Sequence, residues 1–487
     1  MGYRRHQASC GEIQPSSVSR GHPSHRCGNM QRRVKCSRLQ VRTEGGTMRR
    51  RRLLKASLLF ATGCAAWPVS DVHAAIEREI YDVSDFGAKG DGRNDDTDAI
   101  RTAMAQAAAS RTSATVHFPK GRYIFSTLEE QFDDIEFSGD GAVLVSTLPV
   151  GTPQPAIWLH ARKLWIHDLS LDYTDAIDVR RPGVVESRKP NAYGLRLGGA
   201  RDPHLWNAEV VRVERVQVTN ARGGGIQVSH ASNVTVRGCR IRQVLGNGLG
   251  FDGCVANVLA EDNDIALTGD DLLVIVTDFR VPNGTRNVIF RRNTVAKGYA
   301  KGIASSGVDG MVIEENTVSD TFAGGIVVFS DSYYRLGRSI DVTVSGNTVK
   351  AAGRFFGEGQ FRREASPVGN SIYVAGGSAN VAIRGNTLIG SVRDGIVVTT
   401  IKGLSIVKNN VLDHPGVGIL VGDPSDIDTK RVSHFQIAFN SVRDNRDGII
   451  VGSATDGTIT DNVITLAPPG RGQALVVANS SAVIVQK

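Results

Sequence analysis

The apolar and polar positions of this chain fall into a nine-residue phrase that keeps returning. It reads "NVTVRGCRI" from residue 233, then "NVLAEDNDI" (257), "NVIFRRNTV" (287), "GMVIEENTV" (310), "DVTVSGNTV" (341), "NVAIRGNTL" (380), "GLSIVKNNV" (403) and "HFQIAFNSV" (434). Places two, four and nine are apolar, and place seven is usually Asn. The seventh places are Cys239, Asn263, Asn293, Asn316, Asn347, Asn386, Asn409 and Asn440, separated by 24, 30, 23, 31, 39, 23 and 31 residues. A second phrase alternates apolar residues with period two, the signature of a strand: "GIQVSH", "GLGFDG", "DLLVIV", "GIASSG", "GIVVFS", "SIYVAG", "GIVVTT", "GILVGD" and "GIIVGS". Two or three short strands per repeat, with Gly and Asn at the corners, predict one coil of a parallel β-solenoid. The Asn column has a physical reason, since Asn tolerates left-handed backbone and its amide can bond the neighbouring coil about 4.8 Å away. Fainter phrases at 134 and 163 carry the stack back toward residue 130.

Before the repeats stands "YDVSDFGAKGDGRNDDTDAI", whose acids at 95–98 suit the start of an Ala-rich helix over about 98–109. "VHFPKGRY" then reads as strand, turn, strand. "DFGAKGDGRNDDTDAI" followed by "VHFPKGRY" resembles the entry segment of right-handed β-helix carbohydrate enzymes, the pectate-lyase-like superfamily of polygalacturonases, rhamnogalacturonases and uronan epimerases. The resemblance covers about residues 80–465. It implies an all-β fold, a single-stranded right-handed parallel β-helix of about a dozen coils, with an N-terminal α-helical cap over its first edge. The expected divisions are 76–130 for cap and entry and 131–487 for the repeats.

"TGDDLLVI" places Asp270 and Asp271 at the mouth of an apolar strand. Taking the first residue of each second phrase as position zero puts Asp271 there, where other coils mostly have Gly. The residue before it then forms a column in which Asn247, Asp270 and Lys301 stand on consecutive coils, Cα atoms roughly 5 Å apart. The phrase resembles the "GDDCVAI" of polygalacturonase-type glycoside hydrolases (family 28). In that family an Asp precedes by one coil and a His follows; here those places hold Asn247 and Lys301, and the expected Arg-x-Lys is absent. Asp252, in "GFDG", lies about 13 Å along its strand from Asp271 in this reading, too far to share a small site.

These residues are the candidate catalytic group: Asp270, Asp271, Lys301 and Asn247. Inverting hydrolysis would use Asp270 as acid and Asp271 as base, about 6.5–9.5 Å apart. β-Elimination or epimerisation of a uronan would use Lys301 as base. Asp270, Asp271 and Asn247 offer oxygen ligands of the type Ca²⁺ takes, a cofactor a lyase would need and a hydrolase would not. A bland reading stands beside these: Asp before Gly is common at turns, and Asp394 and Asp447 occupy the same column without any evident site. Inserts at 277–287, 330–341 and 351–369 bring Tyr333, Tyr334, Arg335, Arg338, Phe355 and Phe356, residue types that suit sugar stacking and carboxylate binding.

Composition changes one expectation. The net charge of +8 invites a polyanion partner, but residues 1–74 hold 14 Lys and Arg against 3 Asp and Glu. The remaining 43 basic and 46 acidic residues leave the body at −3, which removes the support for nucleic-acid binding. From Met48 a basic run, an apolar stretch too short to span a membrane and a small-residue end follow in the order of a signal peptide. Arg50-Arg51-x-Leu53-Leu54-Lys55 resembles the twin-arginine type, so 48–75 is expected to direct export to the periplasm or beyond. Residues 1–47 read as an upstream extension or tail. Cys64 has Ala61 three residues before it, a weak context for lipid attachment. Cys239 and Cys254 could pair in an oxidising compartment, but a disulfide scaffold is excluded. The function expected is an exported enzyme that depolymerises an acidic polysaccharide. A uronan epimerase and a non-catalytic glycan-binding or cell-envelope solenoid are the alternatives.

Overall fold

A strand of four to seven residues cannot satisfy its own backbone, so repeated short strands must close their hydrogen bonds on the coils above and below. In the computed structural model each strand from Leu195–Gly198 to the penultimate turn pairs in parallel with the strand three further along the chain, giving three sheets and about 13 turns. The structure describes residues 78–180, 191–200, 207–253, 256–277, 285–330, 337–355, 369–425 and 431–486. The leader with its twin-arginine segment and Cys64, together with Tyr333, Tyr334, Arg335 and Cys254, lies outside the described residues.

Sheet A is built from the second phrase, in strands such as Ile226–Ser229, Leu249–Asp252, Leu273–Val276 and Ile303–Ser306. The first half of the nine-residue phrase forms sheet B (Ser232–Arg237, Ala256–Glu261, Thr285–Arg291). Its end forms sheet C (Arg240–Val244, Asp264–Thr268, Thr294–Gly298). Two long strands, Leu128–Ser146 and Ile157–Tyr173, bend round all three faces at the N-terminal side. Alternation along each strand sends every second side chain inward. Ile226, Leu249, Leu273, Ile303, Ile326 and Ile372 thus stack level with one another, each 0–1% exposed. Burial of each such side chain contributes about 2 kcal/mol.

Helix α1 (Thr97–Ala109) follows the acidic run. It buries Ile100, Ala103, Met104 and Ala107, the one-face spacing of an amphipathic helix. Buried Asp96 accepts the backbone N–H groups of Lys89 (2.6 Å) and Gly90 (3.2 Å), which shapes the turn of the "GAKGDG" segment. Among the described residues no helix is long and apolar enough to cross a membrane.

The Asn column is a continuous ladder. The Oδ1 of Asn293 accepts both the backbone N–H (3.1 Å) and the Nδ2 (2.9 Å) of Asn263, whose Nδ2 also donates to Val236 O. The same pattern passes through Asn316, Asn347, Asn386, Asn409 and Asn440. Asn462, outside the eight phrases, closes it. The left-handed backbone is not on these asparagines. It falls on the residue before each, such as Asp262, Arg292 and Glu315 (φ 52–55°), because the asparagine N–H must face along the stack. Left-handed asparagines occur at the first place of the phrase, at Asn233, Asn257, Asn287 and Asn380. Cys239 begins the ladder as a free, buried thiol with its Sγ directed at Val213 O (3.7 Å); burial pushes its pKa up to about 12.

Two outcomes follow from these buried polar groups. Asn316→Ala takes the acceptor from the Asn293 N–H and removes one bond each from Asn293 Nδ2, Asn347 Oδ1 and Phe290 O. It should lower unfolding free energy by about 3 kcal/mol, whereas exposed Asn257→Gly, which suits the left-handed backbone there, should cost under about 1 kcal/mol in the same denaturant titration. His414 is 1% exposed, with Nε2 3.0 Å from Ser371 Oγ and Nδ1 2.9 Å from Asn445 Oδ1, and burial depresses its pKa to about 4. The unfolded chain takes up the proton first, so this contribution is complete above pH 6.5 and is lost as pH falls toward 4. The loss is on the order of 3 kcal/mol, and His414→Gln should flatten that part of the stability–pH curve.

Candidate functional site

Strand register decides which of the sequence-singled residues stand level. Leu249 pairs with Leu273, and Leu273 with Ile303. Counting back two places puts Asn247, Asp271 and Lys301 in one column, with Asp270 one place outside it. The hydrogen bonds agree: Gly248 N–H donates to Asp271 O (2.9 Å) and Leu272 N–H to Lys301 O (3.0 Å). The expected column of Asn247, Asp270 and Lys301 is therefore displaced by one residue. The physical reason is Leu272, which fills the place other coils give to Gly. Its side chain turns into the core, where Gly298 leaves room: a Cβ there would lie 2.8 Å from Leu272 Cγ.

Asp271 is 6% exposed. Its Oδ1 accepts the backbone N–H of Lys301 (2.8 Å), and Lys301 Nζ lies 3.0 and 3.1 Å from its two oxygens. The first bond is a recurring corner device. Asp394 Oδ1 takes the N–H of Val417 (2.7 Å) and Asp447 Oδ1 that of Gln473 (2.9 Å), each one coil further on. The ion pair to a lysine is what sets Asp271 apart from these two column mates. Lys301 Nζ also lies 5.2 Å from the Phe329 ring centroid. Phe329 follows inward-facing Val328 and so points outward, which locates the ammonium on the outer face of sheet A. Asp270 is partly exposed on the same turn, and its carbonyl accepts Thr268 Oγ1 (2.7 Å).

Calcium does not fit this corner as it stands, because the Lys301 ammonium already engages both Asp271 oxygens. Among the described residues no three or more His, Cys, Asp or Glu side chains are disposed to hold a metal ion. Arg338 is exposed beside the far end of sheet A, where Gly337 O accepts Ser306 Oγ (2.9 Å). The inserts divide between two corners. Those at 277–287 and 330–341 leave sheet A toward sheet B, whereas 351–369 joins sheet C to sheet A, and Phe355 packs on Tyr299 at 5.0 Å.

The outer face of sheet A also holds side chains that sequence reasoning missed or set aside. Register aligns Trp158, Arg196, Gln227 and Gly250 on four successive coils, with His160, Gly198, Ser229 and Asp252 two places along. Asp252 is level with Val276, five places from Asp271 and one coil before it, roughly 16 Å along the strand direction. The second row contains three buried polar atoms that make no hydrogen bond among the described residues: His160 Nε2, Ser229 Oγ and Asp252 Oδ1. The sequence signal for them was the outward place of the alternating phrase, where a covered polar side chain carries a cost.

Three family models match the chain: "Rhamnogalacturonase A/epimerase, pectate lyase-like" over residues 80–150, "Right handed beta helix region" over 188–388 and "Periplasmic copper-binding protein (NosD)" over 363–486. The Bacillus subtilis (strain 168) protein YclG is 22% identical over 385 residues, 72% of this chain and 61% of YclG. Mannuronan C5-epimerase AlgE4 of Azotobacter vinelandii is 28% identical over 214 residues, 39% of this chain and 35% of that protein. The chain therefore spans less than two thirds of either relative. Among solved structures, the catalytic unit of a GH87 α-1,3-glucanase from Streptomyces thermodiastaticus strain HF3-3 superposes with TM-score 0.51 at 17% identity. It covers 84% of this chain and 70% of its own, a likeness of fold. With the stacked parallel coils and the entry segment, these matches make the chain a member of the pectate-lyase-like superfamily of right-handed parallel β-helices.

Proposed function

We propose that the chain is an exported enzyme acting on an acidic, uronic-acid-containing polysaccharide bound along the outer face of sheet A. In this reading it removes the proton from the sugar carbon that bears the carboxylate. The observation that carries the proposal is the Lys301 ammonium, fixed over that face by both Asp271 oxygens and the Phe329 ring. Removing a proton beside a carboxylate spreads a second negative charge onto it, and a held cation is the group that stabilises that charge. Lys301 Nζ is held by both Asp271 oxygens, so Lys301 serves as electrostatic stabiliser rather than as base. Asp270 takes the proton, and the Asn247 amide contacts a sugar hydroxyl. The resulting anion either expels the oxygen at the neighbouring linkage, leaving a double bond, or is reprotonated from the opposite face.

Relatives named for mannuronan C5-epimerisation support this choice. So does alginate lyase 7 of Azotobacter vinelandii, 43% identical over 67 residues, 14% of this chain and 7% of that protein. Hydrolysis by Asp270 and Asp271 is the second reading, favoured by the "GDD" phrase. It is weakened by Asp271, whose oxygens are both committed to Lys301. The signal-type leader and the match to a family described as periplasmic support export. In the same reading α1 caps the N-terminal edge, Arg338 stands at one border of that face, and the partner is a polysaccharide.

Incubation of the chain with alginate, polymannuronate and polygalacturonate in heavy water, with and without chelator, tests the reading. Reprotonation should place deuterium at the carbon bearing the carboxylate, whereas elimination should give an unsaturated product with no hydrogen at that carbon. Lys301→Met should lower kcat on the order of a hundredfold in a chain that still folds, with a lowered Tm because the buried Asp271 carboxylate loses its counter-charge. New reducing ends without deuterium or unsaturation would establish hydrolysis instead. Binding without any change in the polymers would mark a non-catalytic glycan-binding protein.

A further inference from the structure

Inward columns that are sealed along the solenoid open at its C-terminal end. Ile449, Val451 and Ile459 are 0%, 0% and 2% exposed, whereas their partners one coil on, Leu475, Val477 and Val485, are 37%, 39% and 48% exposed. Phe439, Val463 and Ile484 are exposed beside them, so six of the eight exposed large apolar side chains among the described residues fall between 439 and 485. Exposed apolar groups gathered in this way mark an interaction surface, where scattered ones do not.

The backbone of the same coil is open too. Its strands are Val463–Leu466 in sheet C, Leu475–Ala478 in sheet A and Ser481–Gln486 in sheet B. Each pairs with the coil before it, and among the described residues no strand pairs with its outer edge. Edges meant to stay unpaired carry charges or Pro within the strand. The preceding coil has six charged residues, Arg443, Asp444, Arg446, Asp447, Asp456 and Asp461, but residues 463–486 have Arg471 alone. Pro468 and Pro469 fall between strands, where they block no pairing.

We propose that this end is a dimer interface, at which two copies of the chain meet end to end about a two-fold axis through the sheet A strand Leu475–Ala478. The rotation reverses strand direction, so the three edges meet antiparallel edges: sheet A over sheet A, and sheet C over sheet B in both senses. One coil climbs by about one strand spacing, 4.8 Å, and the sheet A strand stands midway between the other two. Both kinds of pair therefore close at one separation. A nearly uncharged face offers an oppositely charged partner little to select and suits a copy of itself. Arg471, at the corner between sheets C and A, comes over Asn479 and Ser480 at the corner between sheets A and B, so the two cations do not meet. An end about 25 Å across presents on the order of 600 Å², and two ends bury about 1,200 Å², the lower bound of specific interfaces. A two-fold contact is closed and does not propagate. The outer faces of sheet A lie on the same side of the dimer, open in both copies.

Sedimentation equilibrium of the full chain, with hydrogen exchange of its amides over a dilution series, tests the proposal. The chain should sediment at twice its mass. Amides of the three end strands should exchange on the order of tenfold faster once dilution gives the monomer. Val477→Lys and Val485→Lys should each weaken the dimer at least about a hundredfold by placing an unpaired charge in the contact, with protection of the coils before residue 440 unchanged. A dimer that persists in both variants would overturn the proposal, and so would a monomeric wild type. A monomer with the end strands already protected would assign the end to another segment of this chain, and one with them unprotected to a different protein.

Discussion

Everything in this molecule depends on closing backbone hydrogen bonds between coils that are individually too short to be stable. Parallel pairing does this along the three faces, but the corners have no strand partner. The buried asparagine ladder solves one corner, since each side-chain oxygen takes an N–H from the coil before it. Asp271, Asp394 and Asp447 solve another corner in a related way, each accepting one N–H of the following coil. The cost of leaving these groups unpaired fixes the register, and a fixed register turns every strand position into a straight column.

That constraint carries into function. Columns on the outer face of sheet A bring residues far apart in the chain to one surface: Trp158, Arg196, Ser229, Asp252 and Lys301 come from five different coils. Inside, the same rule yields uniform Ile and Val columns; outside, each place is free to carry chemistry. The Asp271–Lys301 pair shows both at once, because one oxygen performs the corner task and the pair as a whole holds a cation over the face.

The repeat, the parallel solenoid and the Asn column were legible in the sequence because inward places recur with fixed chemistry. The exact column of the acidic pair was not. Phrases were aligned on their first residue, and Leu272 in place of Gly shifted that origin by one, a substitution that only Gly298 on the next coil makes tolerable. The left-handed residue next to each ladder Asn was also hidden, since Asp262, Arg292, Glu315 and Lys408 share no chemistry. The row of His160, Ser229 and Asp252 was hidden for a different reason. Its residues are ordinary one by one and become informative when register stacks them and burial leaves their polar atoms unpaired.

On the proposed reading the outer face of sheet A, from Trp158 to Lys301, holds an acidic sugar chain. A crystal structure of the chain with a bound uronate oligosaccharide tests this most directly. Sugar density should run along that face across its six coils, with a carboxylate at Arg196 or Lys301. Density on sheet B or sheet C, or a carboxylate turned away from both cations, would contradict it.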